Sequence, residues 1–75
     1  MEDYMVLNLK MIREQRGITI SQLSYKSGVA RSYITELETE KYINPSLGII
    51  CKLCIALSVT PNELISKDYW NFKKR

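Results

Sequence analysis

Few residues in this sequence have a type and spacing that suit a catalytic or metal site. Cys51 and Cys54 form a C-x-x-C pair, and the chain has no other cysteine and no histidine. Because a structural zinc site needs four ligands, one copy of the chain cannot complete one, and we expect no metal. We interpret the pair as two small apolar residues on the buried face of a helix. A metal bridging two copies and a redox pair are the alternatives.

The sequence also lacks the residue types that usually carry out enzymatic catalysis. The sequence has no histidine, no second carboxylate placed for acid–base work and no glycine-rich phosphate loop. A chain of 75 residues is also too short to form a deep catalytic cleft. We therefore expect no enzymatic activity and no cofactor.

The composition is that of one small globular domain. The chain is 45% hydrophobic and 25% charged, with a net charge of +3, which permits an anionic partner without requiring one. We expect a single domain over residues 1–75, with its core in 5–66 and an aromatic and basic C-terminal tail in 67–75. The longest apolar stretch, Ile49 to Val59, is too short to span a membrane, and the first residues are acidic where a secretory signal would be basic. These features indicate a cytoplasmic protein with no membrane partner.

Apolar residues recur three and four positions apart, which predicts an all-α fold of five helices. The first helix is predicted from Tyr4 to Arg16, with Met5, Leu9 and Ile12 on one face and Gly17 after its end. The other predicted helices are Ile20 to Lys26, Arg31 to Thr39, one that follows the N-cap Ser46, and a short one from Pro61 through Leu64 and Ile65.

Local signals support these boundaries. Thr19 with Gln22, and Thr60 with Glu63, have the spacing of a capping box, in which each side chain bonds the other residue's backbone amide. Gly28 supplies a tight turn between the second and third helices. On the fourth helix, the expected inner face is Leu47, Ile50, Cys51, Cys54 and Leu57.

The stretch from Ile20 to Leu37 is a helix, a glycine turn and a second helix. Its apolar residues would fix the angle between the two helices: Leu23, Val29, Ile34 and Leu37. That arrangement leaves the outward side of the second helix free to enter a major groove of DNA.

Six segments between Leu9 and Ile65 follow the pattern of a known family: LKMIREQRG at 9–17, QLSYKSGV at 22–29, RSYITELE at 31–38, NPSL at 44–47, ALSV at 56–59 and ELI at 63–65. In these segments the sequence resembles the lambda repressor/Cro-like (XRE-type) helix-turn-helix family. The resemblance implies a five-helix domain whose third helix reads double-stranded DNA, usually as a homodimer on a two-fold operator.

The resemblance also implies base-reading roles for Arg31, Ser32 and Glu36, with Thr35 beside them. Arginine can donate two hydrogen bonds to guanine O6 and N7, and serine can bond several base edges. Glutamate either accepts from cytosine N4 or repels phosphate and so excludes wrong sites. The expected phosphate contacts, which would position the domain without choosing a sequence, are Thr19, Tyr33, Lys41, Tyr42 and Asn44. A solvated polar face is the alternative interpretation of the base-reading set.

The resemblance also implies a salt bridge, and the sequence predicts positions for its aromatic residues. In the family, residues matching Arg13 and Glu38 form a structural salt bridge between the first helix and the reading helix. The aromatic residues of the tail either cover the core or form a dimer contact: Tyr69, Trp70 and Phe72. Tyr25 is expected to pack in the core or at its rim, and Tyr33 and Tyr42 have partial core packing as an alternative.

Three positions depart from the family pattern. Ile20 replaces a glutamine that contacts phosphate in many members, so one DNA contact is expected to be missing. Ala30 replaces a serine or threonine cap on the reading helix, a loss of about 1 kcal/mol. Glu40 replaces a helix-ending glycine and would bring a negative charge near DNA.

The predicted function is a sequence-specific DNA-binding transcriptional regulator, acting as a repressor on a palindromic operator. Restriction–modification controllers and antitoxin-type autoregulators fit the same features. A helix-turn-helix module that binds protein and no longer binds DNA is the alternative from another class.

Overall fold

Five short helices form the part of the chain that a computed structural model describes, residues 7–39 and 44–66. This confirms the predicted all-α fold. The helices are α1 (Leu9–Gln15), α2 (Ile20–Ser27), α3 (Arg31–Thr39), α4 (Leu47–Leu57) and α5 (Pro61–Leu64). No β-strand occurs within those two ranges, where a single antiparallel bridge joins Leu7 and Ile65.

The first helix begins later than its apolar pattern predicts. At Leu7 and Asn8 the chain is not helical, because its backbone pairs instead with the end of α5. The Asn8 amide donates to the Leu64 carbonyl at 2.8 Å, and its side-chain Nδ2 donates to the Glu63 carbonyl at 3.2 Å. Met5 lies outside the described residues. A contact with a residue far along the chain thus sets the start of α1.

The end of α1 is fixed by a glycine turn, as predicted. Gly17 has φ +68°, a conformation that costs residues with a Cβ about 1 kcal/mol or more. The Gly17 amide donates to the Glu14 carbonyl, and the Ile18 amide donates to the Arg13 carbonyl. This pair of bonds is a Schellman motif, which satisfies carbonyls at the helix end and turns the chain toward α2.

The predicted features at the two ends of α2 are both present. The Thr19 hydroxyl accepts from the Gln22 amide at 3.1 Å, while the Gln22 side chain accepts from the Thr19 amide at 2.8 Å. Gly28 has φ +76°, and its amide donates to the Ser24 carbonyl at 2.9 Å. Local hydrogen bonds thus fix both ends of α2, and α3 begins three residues after Gly28.

The predicted inner face of α4 is wrong at two positions. Leu47 is 74% exposed and Cys51 is also exposed, whereas Leu53, not predicted to be buried, is 0% exposed. Apolar side chains lie all around this helix, so its sequence does not indicate which side faces the core. The packing of α4 against α2 and α5 selects the face.

The caps of α4 and α5 follow the predictions, but α5 is shorter than expected. The Ser46 hydroxyl accepts from the Ile49 amide at 3.3 Å, and Thr60 with Glu63 forms the second capping box. Pro61 begins α5, where its missing N–H costs no hydrogen bond. Ile65 is extended, with φ −88° and ψ 126°, because its backbone pairs with Leu7.

A core of buried apolar side chains joins all five helices. α2 packs against both α3 and α4, α1 packs against α3, and α5 packs against α4. The buried residues are Leu9, Ile12, Leu23, Val29, Ile34, Leu37, Ile50, Leu53, Cys54, Leu57 and Leu64. Among the described helices, none combines the length and the apolar composition that a membrane crossing would require.

Two leucines on α4 provide a matched test of this core. We expect Leu53→Ala to lower the free energy of unfolding by about 2–5 kcal/mol, because it leaves a cavity in the buried core. The same substitution at exposed Leu47 should change that free energy by no more than about 0.5 kcal/mol. Urea unfolding followed by circular dichroism measures both. Equal losses for the two variants would contradict the orientation of α4.

Candidate nucleic-acid interface

The third helix has one buried side and one exposed side. Ile34 and Leu37 are buried in the core, with Val29 from the preceding turn beside them. The side chains predicted to read bases are all exposed: Arg31, Ser32, Thr35 and Glu36. At 3.6 residues per turn these four residues cover an arc of about 140° and rise about 7.5 Å along the helix axis. The exposed side is therefore a compact polar surface, and the opposite side of the helix packs in the core.

Arg31, at the first position of α3, contacts the second helix. Its Nη1 donates to the Ser21 hydroxyl oxygen at 3.2 Å. The bond crosses the glycine corner and joins the exposed surfaces of α2 and α3. Sequence reasoning placed Arg31 on the exposed side but did not find Ser21.

The other three polar side chains on this face differ in their own hydrogen bonds. The Thr35 hydroxyl donates to the Arg31 carbonyl at 3.0 Å, so it is engaged with its own helix. Within the described ranges, no side-chain hydrogen bond or ion pair involves Ser32 or Glu36. Ser32 and Glu36 therefore keep their polar groups available for a ligand.

The phosphate candidates lie in different environments. Thr19 is exposed at the start of α2, with its hydroxyl bonded to the Gln22 amide. Tyr33 is half-buried, and its ring packs against the core, in keeping with the partial core packing considered from the sequence. Asn44 is exposed where the second described range begins. The predictions for Glu40, Lys41, Tyr42, Tyr69, Trp70 and Phe72 fall outside the described residues.

The ion pair expected from the resemblance links α1 to α3. Arg13 Nε lies 2.6 Å from Glu38 Oε2, and Arg13 Nη2 lies 3.1 Å from Glu38 Oε1. The third donor, Nη1, bonds the Ile18 carbonyl at 2.9 Å. The hydrogen bond to Glu38 raises the pKa of Arg13 above its usual value. Their side chains are only 11% and 3% exposed, so this fork is held largely out of water.

At three positions, one just after α1 and two on α2, the structure adds to or corrects the sequence predictions. Arg16 Nε donates to the Leu57 carbonyl at 3.0 Å, which ties α1 to the end of α4 and satisfies a terminal carbonyl of that helix. Tyr25 is 91% exposed, so its predicted packing in the core or rim is wrong. It projects from the side of α2 opposite Leu23. Ile20 is half-buried and packs against the core.

The prediction that both cysteines lie on the buried face of α4 is wrong for Cys51. Cys54 is buried and Cys51 is exposed, because positions three apart on α4 straddle the edge of its buried face. Burial raises the pKa of the Cys54 thiol, which disfavours the reactive thiolate. Across 7–39 and 44–66, histidine, cysteine and acidic residues form no cluster of three or more that would suit a metal ion.

Comparison with known proteins identifies the family. Residues 9–64 match the profile of the family described as Helix-turn-helix, which covers all five helices. The chain belongs to the helix-turn-helix family. Its type is the lambda repressor/Cro-like one that the sequence resembles.

Two relatives and one solved structure show the range of this family. The chain is 31% identical over 61 residues to the transcriptional regulator SinR of Bacillus subtilis, a match covering 81% of this chain and 55% of SinR. It is 32% identical over 60 residues to the immunity repressor protein of Bacillus phage phi105, covering 80% of this chain and 41% of that repressor. The chain thus spans about half the length of the curated relatives it matches.

The solved structure is the restriction-modification controller protein C.AhdI from Aeromonas hydrophila. It is 36% identical to this helix-turn-helix chain and superposes with a TM-score of 0.67. The match covers 73% of this chain and 82% of the controller protein.

Removing Arg13 tests the link between α1 and α3. We expect Arg13→Met to lower the free energy of unfolding by about 3 kcal/mol, because it leaves the partly buried carboxylate of Glu38 without its partner. Urea unfolding measures the loss. Lys10→Met, an exposed change on the same helix, should shift stability by no more than about 0.5 kcal/mol.

A double variant separates loss of the ion pair from loss of packing. We expect Arg13→Met combined with Glu38→Leu to be more stable than Arg13→Met alone, since no buried charge is then left unpaired. A double variant that is less stable than the single one would contradict this explanation.

Proposed function

We propose that this helix-turn-helix protein is a sequence-specific, double-stranded DNA-binding transcriptional regulator that acts as a repressor. The observation that carries the proposal is the two-sided third helix. Its apolar side is fixed in the core, while Arg31, Ser32, Thr35 and Glu36 are exposed on the other side. A helix held in this way can enter the major groove with its polar side chains toward the bases.

The dimensions and the chemistry of this face suit base reading. Its rise of about 7.5 Å equals the spacing of about two base pairs of DNA. Arg31 would donate to guanine O6 and N7, and Glu36 would accept from the N4 amino group of cytosine. Ser32 and the methyl group of Thr35 would contribute less selective contacts.

Phosphate contacts would hold the domain in register on the groove. Thr19 lies at the N-terminus of α2, where free amides and the helix dipole favour an anion. Tyr33, Lys41, Tyr42 and Asn44 are proposed to contribute further contacts beside the groove. These contacts add affinity that depends on salt, but they select no sequence.

We propose a homodimer on a palindromic operator, with Tyr69, Trp70 and Phe72 as the dimer contacts. Two relatives named as transcriptional regulators support a regulatory role, and the relative named as a phage immunity repressor supports repression. A two-fold protein matches a two-fold DNA site, because each subunit meets an equivalent half-site.

A restriction–modification controller is the second candidate. The similarity to C.AhdI, which extends over most of both chains at 36% identity, favours it. Either kind of regulator would act in the cytoplasm, and neither role requires catalysis, a metal or a cofactor.

Selection of bound sequences from a pool of random duplexes tests the regulator proposal. We expect an inverted repeat, with half-site centres separated by about one helical turn of DNA, because a two-fold dimer presents its two reading helices at that spacing. Sequencing of the retained duplexes gives the result. A pool with no enriched sequence would rule out sequence-specific binding.

Arg31 provides a residue-level test on the selected duplex. We expect Arg31→Ala to weaken binding by about 1–3 kcal/mol and to relax the preference at one guanine, because that base loses its two donors. Fluorescence anisotropy with the selected duplex and its single-base variants measures both effects.

Lys52→Ala is the charge-matched control for this substitution. Lys52 is exposed on α4, away from the buried side that packs against α2, so its removal should leave the base preference unchanged. If Arg31→Ala and Lys52→Ala behave alike, the assignment of Arg31 to base reading is wrong.

A further inference from the structure

The guanidinium group of Arg13 shows how this fold holds an arginine against a planar pair of acceptors. Its Nε and Nη2 form one edge, which donates to the two carboxylate oxygens of Glu38. Its Nη1, on the far side of the group, donates to the Ile18 carbonyl. Anchoring Nη1 in this way leaves the Nε–Nη2 edge with a fixed direction, as bidentate recognition requires.

Arg31 has the first half of the same arrangement. Its Nη1 donates to Ser21 Oγ at 3.2 Å, and in the described residues no acceptor occupies its Nε or Nη2. The edge that Arg13 directs at a carboxylate is therefore open on Arg31. Guanine presents O6 and N7 as a planar pair of acceptors in the major groove, which matches this edge.

Ser21 is well placed to act as the anchor. It is the second residue of α2, whose first turn is fixed by the capping box of Thr19 and Gln22. Its side chain has a single rotatable carbon–carbon bond, so its hydroxyl oxygen is limited to a few staggered positions once the helix is formed, one of which bonds Arg31. An unanchored arginine loses rotamer entropy when it binds a base, and a bond formed beforehand reduces that loss.

We propose that Ser21 is a positioning residue for DNA recognition, which holds Nη1 of Arg31 so that the Nε–Nη2 edge meets a guanine. This inference rests on the proposed DNA-binding function and adds to it a specificity determinant outside the reading helix. Ser21 acts through Arg31 and need not touch the base itself.

The test in DNA uses the duplex recovered by selection, a variant of it with the guanine pair read by Arg31 replaced, and an unrelated duplex of equal length. We expect Ser21→Ala to reduce the preference for that guanine by about threefold to tenfold, the worth of one exposed hydrogen bond. Affinity for the unrelated duplex should not change. Ser21→Thr, which keeps the hydroxyl group, should restore the preference.

A double-mutant cycle distinguishes positioning from direct contact. In an Arg31→Ala background, Ser21→Ala should have no further effect on base preference, since the group it positions is absent. If Ser21→Ala instead weakens binding to every duplex equally, or retains its effect without Arg31, Ser21 contacts DNA directly and the inference is wrong.

A measurement on the free protein checks the anchor itself. Nitrogen-15 relaxation of the Arg31 side chain should show greater fast motion in Ser21→Ala than in the wild-type chain, while the side chain of Arg13 stays unchanged. Equal mobility of Arg31 in both proteins would overturn the inference. If selection enriches no duplex, both the regulator proposal and the inference about Ser21 fail. If a duplex is enriched but Ser21→Ala has the same guanine preference as the wild-type chain, only the inference about Ser21 fails.

Discussion

Every described helix depends on burial shared with its neighbours. The longest of them, α4, has 11 residues, and α5 has four. Isolated helices below about 12–15 residues are only marginally stable in water, even for favourable sequences. The core side chains of α2, which contact both α3 and α4, therefore stabilise more than one helix at once. The third helix, α3, exists as a helix only while this common core is intact.

The ion pair between Arg13 and Glu38 fixes the orientation of α3 relative to α1 and adds little net stability. Removing two charges from water offsets much of their attraction, so a buried pair of this kind adds little to the free energy of unfolding. Its three hydrogen bonds nevertheless connect α1, α3 and the loop before α2 at defined distances. Apolar contacts alone would tolerate some sliding of α3, whereas the planar fork permits only a narrow range of orientations.

The features that the sequence predicts well are those decided by neighbouring residues. Both capping boxes and the turns at Gly17 and Gly28 need only a few adjacent positions, and all of them are present. The start of α1 could not be predicted, because Leu7 pairs with Ile65 at the other end of the described chain.

The sequence could not predict which side of α4 is buried, nor the hydrogen bond between Ser21 and Arg31. Both depend on how helices pack against one another. Because apolar residues surround α4, its sequence does not indicate which side faces the core. The packing of α2 and α5 against α4 determines that side. The bond between Ser21 and Arg31 depends on how two helices meet across the corner. The exposed character of Arg31, Ser32 and Glu36 could be inferred, since Ile34 and Leu37 fix the opposite side of α3.

The division of α3 into two sides has an evolutionary consequence. Ser32 and Glu36 are exposed and lie outside the buried core, so a substitution at either position removes no core side chain. In the proposed DNA-binding role, selection on operator preference can therefore act on these positions independently of selection on folding. Descendants of such a chain could then diverge in the DNA sites that they recognise while they keep the same fold.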